Sequence, residues 1–457
     1  MAERLIALLR RIAHEALLAR LRLEALLTGL SRRKRPRIMA TACWTFPIYS
    51  QTFVHQEVLA LAESDFSVRF LYAQRGPRSA LAQHCAALWS LKRRVMLHAD
   101  TGKGDLARFR RTHPAAVEAL ISDIARSSGL SPAQVQSHEH FLHAFSFARA
   151  VEAWRADYLH SYFFYEQTLF ALVASRLLGI PRGISCYADH MLADYPLKIV
   201  KLHLQRCEVL VATSKRIATE LQDFEPAAQP RVLIKANAIN TANFAPRPDH
   251  EGNGDGTVQL LCVCRIDPKK GIEYLLSASR LLLDRGLRVH VRIIGAPDSH
   301  CEAAQAYART LATQVAQDRL GDAVSFMGLR NHGEIRAELM RPGVFVAPYV
   351  DLANGDKDGI PTAVLEAMAS ACAIVTTNAG SLAEIIDDEK QGLVVPQRDA
   401  LALANAIHRL ASDSRLAARL GAAALERVRN QYDVAITEVR LHRRIHEAIA
   451  AQGRAAS

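Results

Sequence analysis

The sequence predicts two α/β domains in tandem, each built on a parallel sheet with helices on both faces. Short apolar strands alternate with amphipathic helices along most of the chain, which is typical of a parallel sheet covered on both sides. The alternation occurs in two series, separated by a segment at 236–257 that is rich in Asn, Asp, Gly and Pro and reads as a linker. The length of 457 residues is enough for two or three domains.

The net charge and the composition limit the kinds of molecule that the protein is expected to bind. A net charge of +11 admits nucleic acid, an anionic membrane surface or phosphate-bearing substrates. Nucleic acid is disfavoured, because the basic excess lies partly in one N-terminal helix without interleaved aromatic residues. The eight cysteines contain no C-x-x-C pair, so reduced thiols in a cytoplasmic protein are expected. No run of about 20 apolar residues occurs, so no transmembrane helix is predicted.

Residues 1–36 are predicted to form a separate basic, amphipathic helix. A stripe at helical spacing contains Leu5, Leu9, Ile12, Ala16 and Leu23. Arginines throughout this stretch argue against a cleaved signal peptide. A leucine-rich helix followed by the basic run at 32–37 can lie on an anionic membrane. Packing on its own protein or on a second copy is the alternative, and the sequence leaves both open.

Each alternating series predicts one domain, at 37–235 and 258–430. The first series has strands at 38–43, 67–72, 157–160, 183–186 and 209–213, with helices at 52–63 and 166–178. The second has strands at 259–264, 289–294, 324–327, 344–348, 373–377 and 392–395, with helices at 271–285, 302–318, 332–340 and from about 362. The last helix, about 431–457, is expected to pack back on the first domain. Ligands of such sheets bind beyond the carboxyl ends of the strands, here in a cleft between the domains.

A cationic loop follows the first strand of the second series. Arg265, Lys269 and Lys270 precede Gly271, which opens the next helix. Such a loop suits a phosphate or pyrophosphate, with a solvated basic loop as the alternative. Neither G-x-G-x-x-G nor G-x-x-x-x-G-K-[ST] occurs, so binding would rest on Arg, Lys and helix dipoles. No carboxylate pair stands out as a divalent metal site, so neither a metal nor a cofactor is predicted.

Two acids bracket the start of a later helix in the stretch "DGIPTAVLEAMA". Pro361 suits the first turn of a helix, where a missing N–H costs nothing. Asp358 lies just ahead of it, and Glu366 interrupts an otherwise apolar helix. Two carboxylates at a helix start, together with the cationic loop, indicate a ligand that is both sugar-like and anionic.

These stretches resemble the family-4 retaining glycosyltransferases of the GT-B fold. The resemblance covers 258–430 and rests on "RIDPKKG", "DGIPTAVLEAMA", "NAGSLAEII" and "QGLVVP". The stretch "FPIYSQTFVHQE", Phe46–Glu57, is similar to bacterial exopolysaccharide and lipopolysaccharide members of the colanic-acid type. The resemblance implies two Rossmann-like domains facing a central cleft. It also implies hexosyl transfer from a nucleotide diphosphate sugar to a glycan or lipid-linked acceptor, with retention and without a metal, in the cytoplasm or on the inner face of the cytoplasmic membrane.

The resemblance also implies roles for individual residues. Arg265 and Lys270 would hold the donor diphosphate and stabilise it as it leaves. Glu366 would accept hydrogen bonds from the ribose hydroxyls, and Asp358, where the family more often has Glu, would face the donor sugar. The expected donor-binding residues are Arg265, Lys270, Asp358, Gly359, Ile360, Pro361, Thr362 and Glu366.

The acceptor side departs from the family pattern. Tyr187 stands where the family often carries a histidine, and His190 stands where an acid is expected. His160 and His190 are further catalytic candidates, although a lone histidine is more often structural. The expected acceptor-side residues are Ser50, Gln51, Thr52, Tyr187 and Asp189.

Two other functions fit the same features. A nucleotide-sugar epimerase of the GT-B fold would release a changed sugar nucleotide without any acceptor. A non-catalytic scaffold would bind the sugar nucleotide as a regulator. The acid pair together with the P-K-K-G loop favours the transferase.

Overall fold

The computed structural model describes residues 2–30, 35–41, 45–46, 52–75, 87–187, 197, 199–247, 256–299, 301–341 and 343–456. The chain divides into two compact units. One comprises Met1–Lys235 and Glu438–Ser457, and the other comprises Ala236–Thr437. Each unit contains a parallel sheet between helices, so the predicted class of two Rossmann-like α/β domains is confirmed.

The sheet of the first unit has seven parallel strands in the order β5-β3-β1-β6-β7-β8-β9. The short strands β2 and β4 pair separately. All residues of β6 and β7 are buried, as expected for a sheet covered on both faces. The bounds are β1 Arg37–Thr41, β2 Thr45–Phe46, β3 Ser67–Tyr72, β4 Gln74–Arg75, β5 Lys92–Arg94, β6 Tyr158–Tyr162, β7 Arg182–Cys186, β8 Val209–Ala212 and β9 Val232–Ile234.

Helices cover this sheet, and four of them fill the stretch between β5 and β6, which shows no clear alternation in the sequence. The first-unit helices are α1 Ala2–Gly29, α2 Thr52–Glu63, α3 Ala99–Thr112, α4 Pro114–Ser128, α5 Pro132–Ser137, α6 Glu139–Trp154, α7 Glu166–Leu178, α8 Val200–Gln205 and α9 Lys215–Phe224. The C-terminal helix, α16 Val434–Ala456, begins in the second unit and contributes Glu438 onward to the first.

Helix α1 is built into the first unit. Leu18, Leu21 and Ala25 are buried in the same apolar core as helix α6. The apolar stripe that the sequence analysis described, which includes Leu9 and Ile12, is not the buried one. Both of these side chains are 56% exposed. The helix therefore has an inner apolar face and an outer one. The exposed large apolar residues of α1 are Leu5, Ile6, Leu8, Leu9, Ile12, Leu23, Leu26 and Leu27, with Leu30 just beyond its end.

An ion cluster fixes the same helix to the edge of the sheet. Glu24 accepts hydrogen bonds from Arg69 of β3 at 2.7 Å and from Arg93 of β5 at 2.6 Å. Burial tends to raise the pKa of Glu24, but Arg93, Arg69 and Arg20 outweigh it and lower the pKa to about 2. The ionised carboxylate therefore holds α1 in one orientation, with its outer face directed away from the core. No helix in the described part of the chain is both long and apolar enough to span a membrane.

The second unit has six parallel strands in the order β12-β11-β10-β13-β14-β15. This is the doubly wound order of dinucleotide-binding folds, in which ligands bind where the order reverses, between β10 and β13. The strands are β10 Val258–Val263, β11 Val289–Ile294, β12 Val324–Gly328, β13 Val344–Ala347, β14 Ala373–Thr377 and β15 Leu393–Val395. The helices are α10 Ile272–Asp284, α11 Glu302–Gln317, α12 His332–Leu339, α13 Thr362–Ala369, α14 Ala400–Ser412 and α15 Ser414–Gln431.

The described part of the predicted linker belongs to the second unit. Asn237 is buried, and its side-chain amide donates to the carbonyl of Ile360 at 3.1 Å. Arg247 is buried too and donates to the carbonyl of Arg341 at 2.9 Å. These polar side chains satisfy backbone carbonyls of the second unit, which explains why a stretch with a loop-like composition is packed.

A buried lysine in the first unit lies between two buried glutamates. Lys235 Nζ lies 2.6 Å from Glu57 Oε2, on α2, and 2.8 Å from Glu438 Oε1, on α16. Burial tends to raise the pKa of Glu57, but Lys235 and His160 lower it. Burial also raises the pKa of Glu438, to about 7, against the opposing effect of Lys235. This triad joins α2, the end of β9 and α16.

We predict that Lys235→Met lowers the free energy of unfolding by about 3–5 kcal/mol, because removing one partner leaves buried carboxylates without their counter-ion. Urea unfolding measures the change. Lys201→Met is the matched control, since its side chain is 65% exposed, and a change within about 0.5 kcal/mol is expected there. A Lys235→Met protein as stable as the control would contradict the prediction.

Candidate functional site

The cationic loop after β10 is held by its own backbone. Gly271 has φ 59° and a Cβ there would lie 2.1 Å from the carbonyl oxygen of Pro348, so only glycine fits. The backbone N–H of Val350 donates to the carbonyl of Lys269 at 2.9 Å. The Arg265 side chain is 46% exposed and lies 3.8 Å from Asp267. The loop thus lies beside the residues that follow β13, at the carboxyl edge of the sheet.

The first N–H groups of this loop and of helix α10 are already used. Lys270 N–H donates to Asp267 at 2.9 Å, and Gly271 N–H donates to Pro268 at 3.2 Å. Ile272 N–H donates to the Tyr307 hydroxyl at 2.8 Å, and that hydroxyl donates to Glu273. A phosphate at this edge would therefore meet the Arg and Lys side chains and not these backbone donors. The sequence reasoning missed Tyr307, because nothing in its local pattern relates it to α10.

The two lysines of the loop are paired with two aspartates. Lys270 forms a hydrogen-bonded ion pair with Asp358, and its Nζ lies 4.0 Å from the ring centre of Tyr349. Lys269 Nζ lies 2.8 Å from Asp356 and 3.9 Å from Asp358. Burial tends to raise the pKa of Asp358, but Lys270 and Lys269 outweigh it and lower the pKa. The structure thus brings Lys270 and Asp358 into contact. The resemblance implied a separate role for each of them.

The start of helix α13 offers backbone donors that α10 lacks. The N–H groups of Gly359, Ile360 and Thr362 meet no hydrogen-bond acceptor among the described residues. Pro361 precedes the helix and has no N–H to offer. An anion placed here would receive hydrogen bonds from free N–H groups at the positive end of a helix dipole.

A second loop supports this helix start. Gly380 has φ 55°, and a Cβ there would lie 2.2 Å from the carbonyl oxygen of Asp358. Ser381 N–H donates to the same carbonyl at 3.2 Å. Asp351 accepts a hydrogen bond from Gly380 N–H at 2.8 Å and so joins the segments after β13 and β14. The sequence reasoning did not identify Asp351, whose partner lies 29 residues away.

Glu366 is a buried carboxylate on α13 without a close cation. His332 Nδ1 is 3.9 Å from its Oε1. Burial raises the pKa of Glu366 to about 7, opposed only by the distant charge of Arg336. Burying an ionised carboxylate without a paired cation is unfavourable. Such a residue is therefore a candidate for a functional site.

His160 is fully buried in the first unit, within β6. Its Nε2 lies 2.9 Å from Ser185 Oγ and 3.4 Å from Glu57 Oε1. Ser185 Oγ donates to the same carboxylate oxygen at 3.1 Å. The imidazole thus extends the Lys235 triad into the sheet, which favours the structural role for this histidine.

Tyr187 directly follows β7 and is buried among aromatic rings. Its ring centre lies 4.5 Å from that of Phe53 and 4.8 Å from that of Phe163. Thr52 is the first residue of α2. The remaining expected acceptor-side and catalytic residues, Ser50, Gln51, Asp189 and His190, lie outside the described residues.

Known proteins share both the sequence and the fold of this chain. Residues 247–427 match the family described as glycosyl transferases group 1. A protein named colanic acid biosynthesis glycosyltransferase WcaL, from Escherichia coli K12, is 26% identical over 381 residues, covering 81% of this chain and 89% of WcaL. The amylovoran biosynthesis glycosyltransferase AmsK of Erwinia amylovora is 32% identical over 153 residues, covering 34% of this chain and 36% of AmsK.

Solved structures match over nearly the whole length. A sucrose-phosphate synthase from Thermosynechococcus elongatus has a TM-score of 0.67 at 18% identity, covering 91% of this chain and 100% of the other. Anabaena HepE in complex with UDP-glucose has a TM-score of 0.65 at 13% identity, covering 91% of this chain and 99% of the other. At these identities the likeness shows the fold.

The two Rossmann-like domains have the GT-B fold of these neighbours. Within the chain, residues 247–427 form a group 1 glycosyltransferase domain, and the chain as a whole is similar to enzymes named for bacterial exopolysaccharide biosynthesis. The resemblance to GT-B glycosyltransferases and to members of the colanic-acid type is thereby confirmed.

We predict that Glu366→Gln stabilises the protein at about pH 8. Burial raises the pKa of Glu366 from 4.5 to about 7, so the native carboxyl keeps its proton over a pH range in which the unfolded one has lost it. Wild-type stability should therefore fall as pH rises from about 4.5 through 7, by roughly 3 kcal/mol at 1.36 kcal/mol per pKa unit, and the variant should escape that loss.

Urea unfolding at about pH 4 and pH 8 measures the difference, which should be small at the lower pH. Glu426→Gln, at an exposed position of α15, is the matched control and should leave stability unchanged at both. Equal behaviour of the two variants would mean that the Glu366 carboxylate carries no burial cost.

Proposed function

We propose that this enzyme transfers a sugar from a nucleotide diphosphate sugar to a glycan or lipid-linked acceptor in cell-surface polysaccharide biosynthesis. One observation carries the proposal. Lys270, Asp358 and the N–H groups at the start of α13, which meet no acceptor among the described residues, lie at the carboxyl edge of the second sheet, with Glu366 buried one turn into that helix. Cations and free N–H groups suit a diphosphate, and a carboxylate suits sugar hydroxyls.

The donor would contact residues from two segments of the second unit, the loop after β10 and the stretch that leads into α13. Arg265 and Lys270 would neutralise the diphosphate, and the N–H groups from Gly359 to Thr362 would bind its oxygens. Glu366 would accept hydrogen bonds from the ribose hydroxyls, and Asp358 would face the sugar. The complex of Anabaena HepE with UDP-glucose supports a nucleotide-sugar donor for this fold.

The same groups suggest how transfer proceeds. Breaking the sugar–phosphate bond gives an oxocarbenium-like sugar and leaves extra negative charge on the diphosphate. Arg265 and Lys270 would stabilise that charge as it develops, so the proposed reaction uses side-chain cations in place of a divalent metal. The acceptor hydroxyl would attack from the leaving-group face and pass its proton to the departing phosphate, which retains the anomeric configuration without a covalent intermediate.

We predict that one class of sugar nucleotide raises the thermal midpoint of the protein in a panel of UDP-, GDP- and ADP-sugars. A ligand that binds the native state at a hundred times its Kd adds about 2.7 kcal/mol of stability. The selected donor should then support transfer to a lipid-linked acceptor in the presence of EDTA, with retention seen in the proton coupling of the product.

Three outcomes would contradict parts of this proposal. Rescue of EDTA-treated enzyme by magnesium or manganese would exclude metal independence. Release of a changed sugar nucleotide without an acceptor would indicate an epimerase. Binding without any turnover would indicate a non-catalytic scaffold.

The outer face of helix α1 is proposed to bind an anionic membrane surface, which would place the enzyme at lipid-linked acceptors. Its exposed leucines form one apolar stripe, and Arg10, Arg11, Arg20 and Arg22 are exposed on the same helix. Apolar burial combined with attraction to anionic lipid is the pattern of interfacial helices. Because Leu18 and Leu21 belong to the core, the stripe has to be tested by point substitutions and not by removing the helix.

We predict that Leu5→Glu, Leu9→Glu and Ile12→Glu together abolish co-sedimentation with anionic vesicles, whereas wild-type binding weakens with salt. Each basic residue near the surface contributes about 1 kcal/mol, which salt screens. The matched control places three glutamates at exposed apolar positions elsewhere, Leu401, Ile436 and Val439, and should bind like wild type. Equal binding by both triple variants would exclude this surface.

A further inference from the structure

Four charged side chains form a mostly buried cluster at the carboxyl edge of the second sheet. Their exposed fractions are 9% for Lys270, 10% for Lys269, 16% for Asp358 and 21% for Asp356. Lys270 pairs with Asp358 and Lys269 pairs with Asp356, while a 3.9 Å contact joins Lys269 to Asp358. Asp358 is therefore within reach of both ammonium groups.

In this arrangement, the Asp358 carboxylate is paired with Lys270, the lysine that is proposed to bind the diphosphate. Lys270 also packs its Nζ over the ring of Tyr349 at 4.0 Å, so the ring covers one side of the ammonium. A diphosphate oxygen and the Asp358 carboxylate would compete for the donors that remain. Moving the carboxylate away from Lys270 would be costly if no other cation were close, because a buried, unpaired charge is unfavourable.

Lys269 is placed to supply that other cation. Its backbone is fixed by Val350, whose N–H donates to its carbonyl at 2.9 Å, and by Asp267, whose side chain accepts from its N–H at 3.2 Å. Its ammonium is anchored by Asp356 at 2.8 Å and needs to shorten only one contact to pair with Asp358. Burial acts to lower the pKa of Lys269, but Asp358 and Asp356 outweigh it and raise the pKa, so the charge persists.

We propose that Asp358 is an internal competitor for the diphosphate on Lys270, and that Lys269 is a positioning residue that receives Asp358 when the diphosphate binds. The proposal rests on the proposed function, since it requires that the site bind a nucleoside diphosphate. Lys269 itself does not contact the nucleotide. The exchange moves a carboxylate between two neighbouring ammonium groups, so the net charge of the cluster stays constant and Asp358 stays ionised beside the donor sugar.

The exchange makes predictions of opposite sign for two neighbouring residues. Asp358→Asn removes the competitor and should tighten the binding of UDP, GDP or ADP, which lack the sugar that Asp358 is proposed to face. Lys269→Met removes the ammonium that would receive Asp358, so Asp358 should stay on Lys270 and binding should weaken. The double variant should bind like Asp358→Asn alone, because Lys269 has no role once the competitor is gone.

Isothermal titration with UDP, and in parallel with GDP and ADP, measures these affinities on the full chain. We expect Lys269→Met to weaken the binding of whichever diphosphate wild type binds by about tenfold, which is about 1.4 kcal/mol. Lys269→Arg should restore it. Lys390→Met, which removes a charge at a side chain that is 71% exposed, is the matched control and should change nothing. Thermal unfolding of each free variant establishes that it is folded.

Each outcome decides one point. A double variant as weak as Lys269→Met would mean that Lys269 itself holds the diphosphate, which overturns the exchange but leaves the proposed function standing. Unchanged binding by Lys269→Met also overturns it. If Lys269→Met does not fold, the Asp358→Asn variant tests the proposal. Nucleotide binding by Asp358→Asn that is no tighter than wild-type binding would rule out competition. Wild-type protein that binds none of UDP, GDP and ADP in the same titration would instead count against the proposed function.

Discussion

The ion triad of Glu57, Lys235 and Glu438 determines how the two ends of the first unit are held together. Lys235 is the last residue of that unit before the chain passes into the second, and Glu438 is the first residue after it returns. One buried ammonium at 2.6 and 2.8 Å from two carboxylates offsets a large desolvation cost only because the geometry is close. The C-terminal residues therefore pack with a sheet that lies two hundred residues earlier in the chain, and apolar contacts of Leu441 and Ile445 follow from that placement.

The second unit uses buried charge differently. In the first unit the buried Lys235 ammonium lies 2.6 and 2.8 Å from two carboxylates, whereas Glu366 lies inside an apolar helix with His332 Nδ1 at 3.9 Å. Lys270 and Asp358 neutralise each other, but both lie beside N–H groups that have no acceptor in the described chain. A site prepared for a charged ligand commonly costs the free protein stability, because groups that the ligand would satisfy are left incompletely paired. This contrast agrees with a structural role for the Lys235 triad and with the binding role proposed for Lys270, Asp358 and Glu366.

Helix α1 illustrates how one element can serve two purposes. Its inner face completes the core of the first unit, and Glu24 locks its rotation through arginines on two strands. Because the inner face fixes the helix, the leucines on the outer face are held in a row and not collapsed onto the protein. A soluble surface seldom leaves so many large apolar side chains exposed on one helix without a partner.

The sequence by itself determined the two Rossmann-like domains and the motifs from Arg265 to Glu366, because strand and helix periodicities and short motifs are local. It did not reveal the Lys235 triad, the hydrogen bond from Ile272 of α10 to the Tyr307 hydroxyl, or the contacts of Asp358 with Lys269 and Lys270. Those contacts join residues 34 to 203 positions apart, from Glu273 and Tyr307 to Lys235 and Glu438, and no periodicity relates such residues. It also favoured the outer stripe of α1 over the inner one, since both have helical spacing. Only tertiary packing decided which face was buried, because burial depends on the neighbouring elements and not on the helix alone.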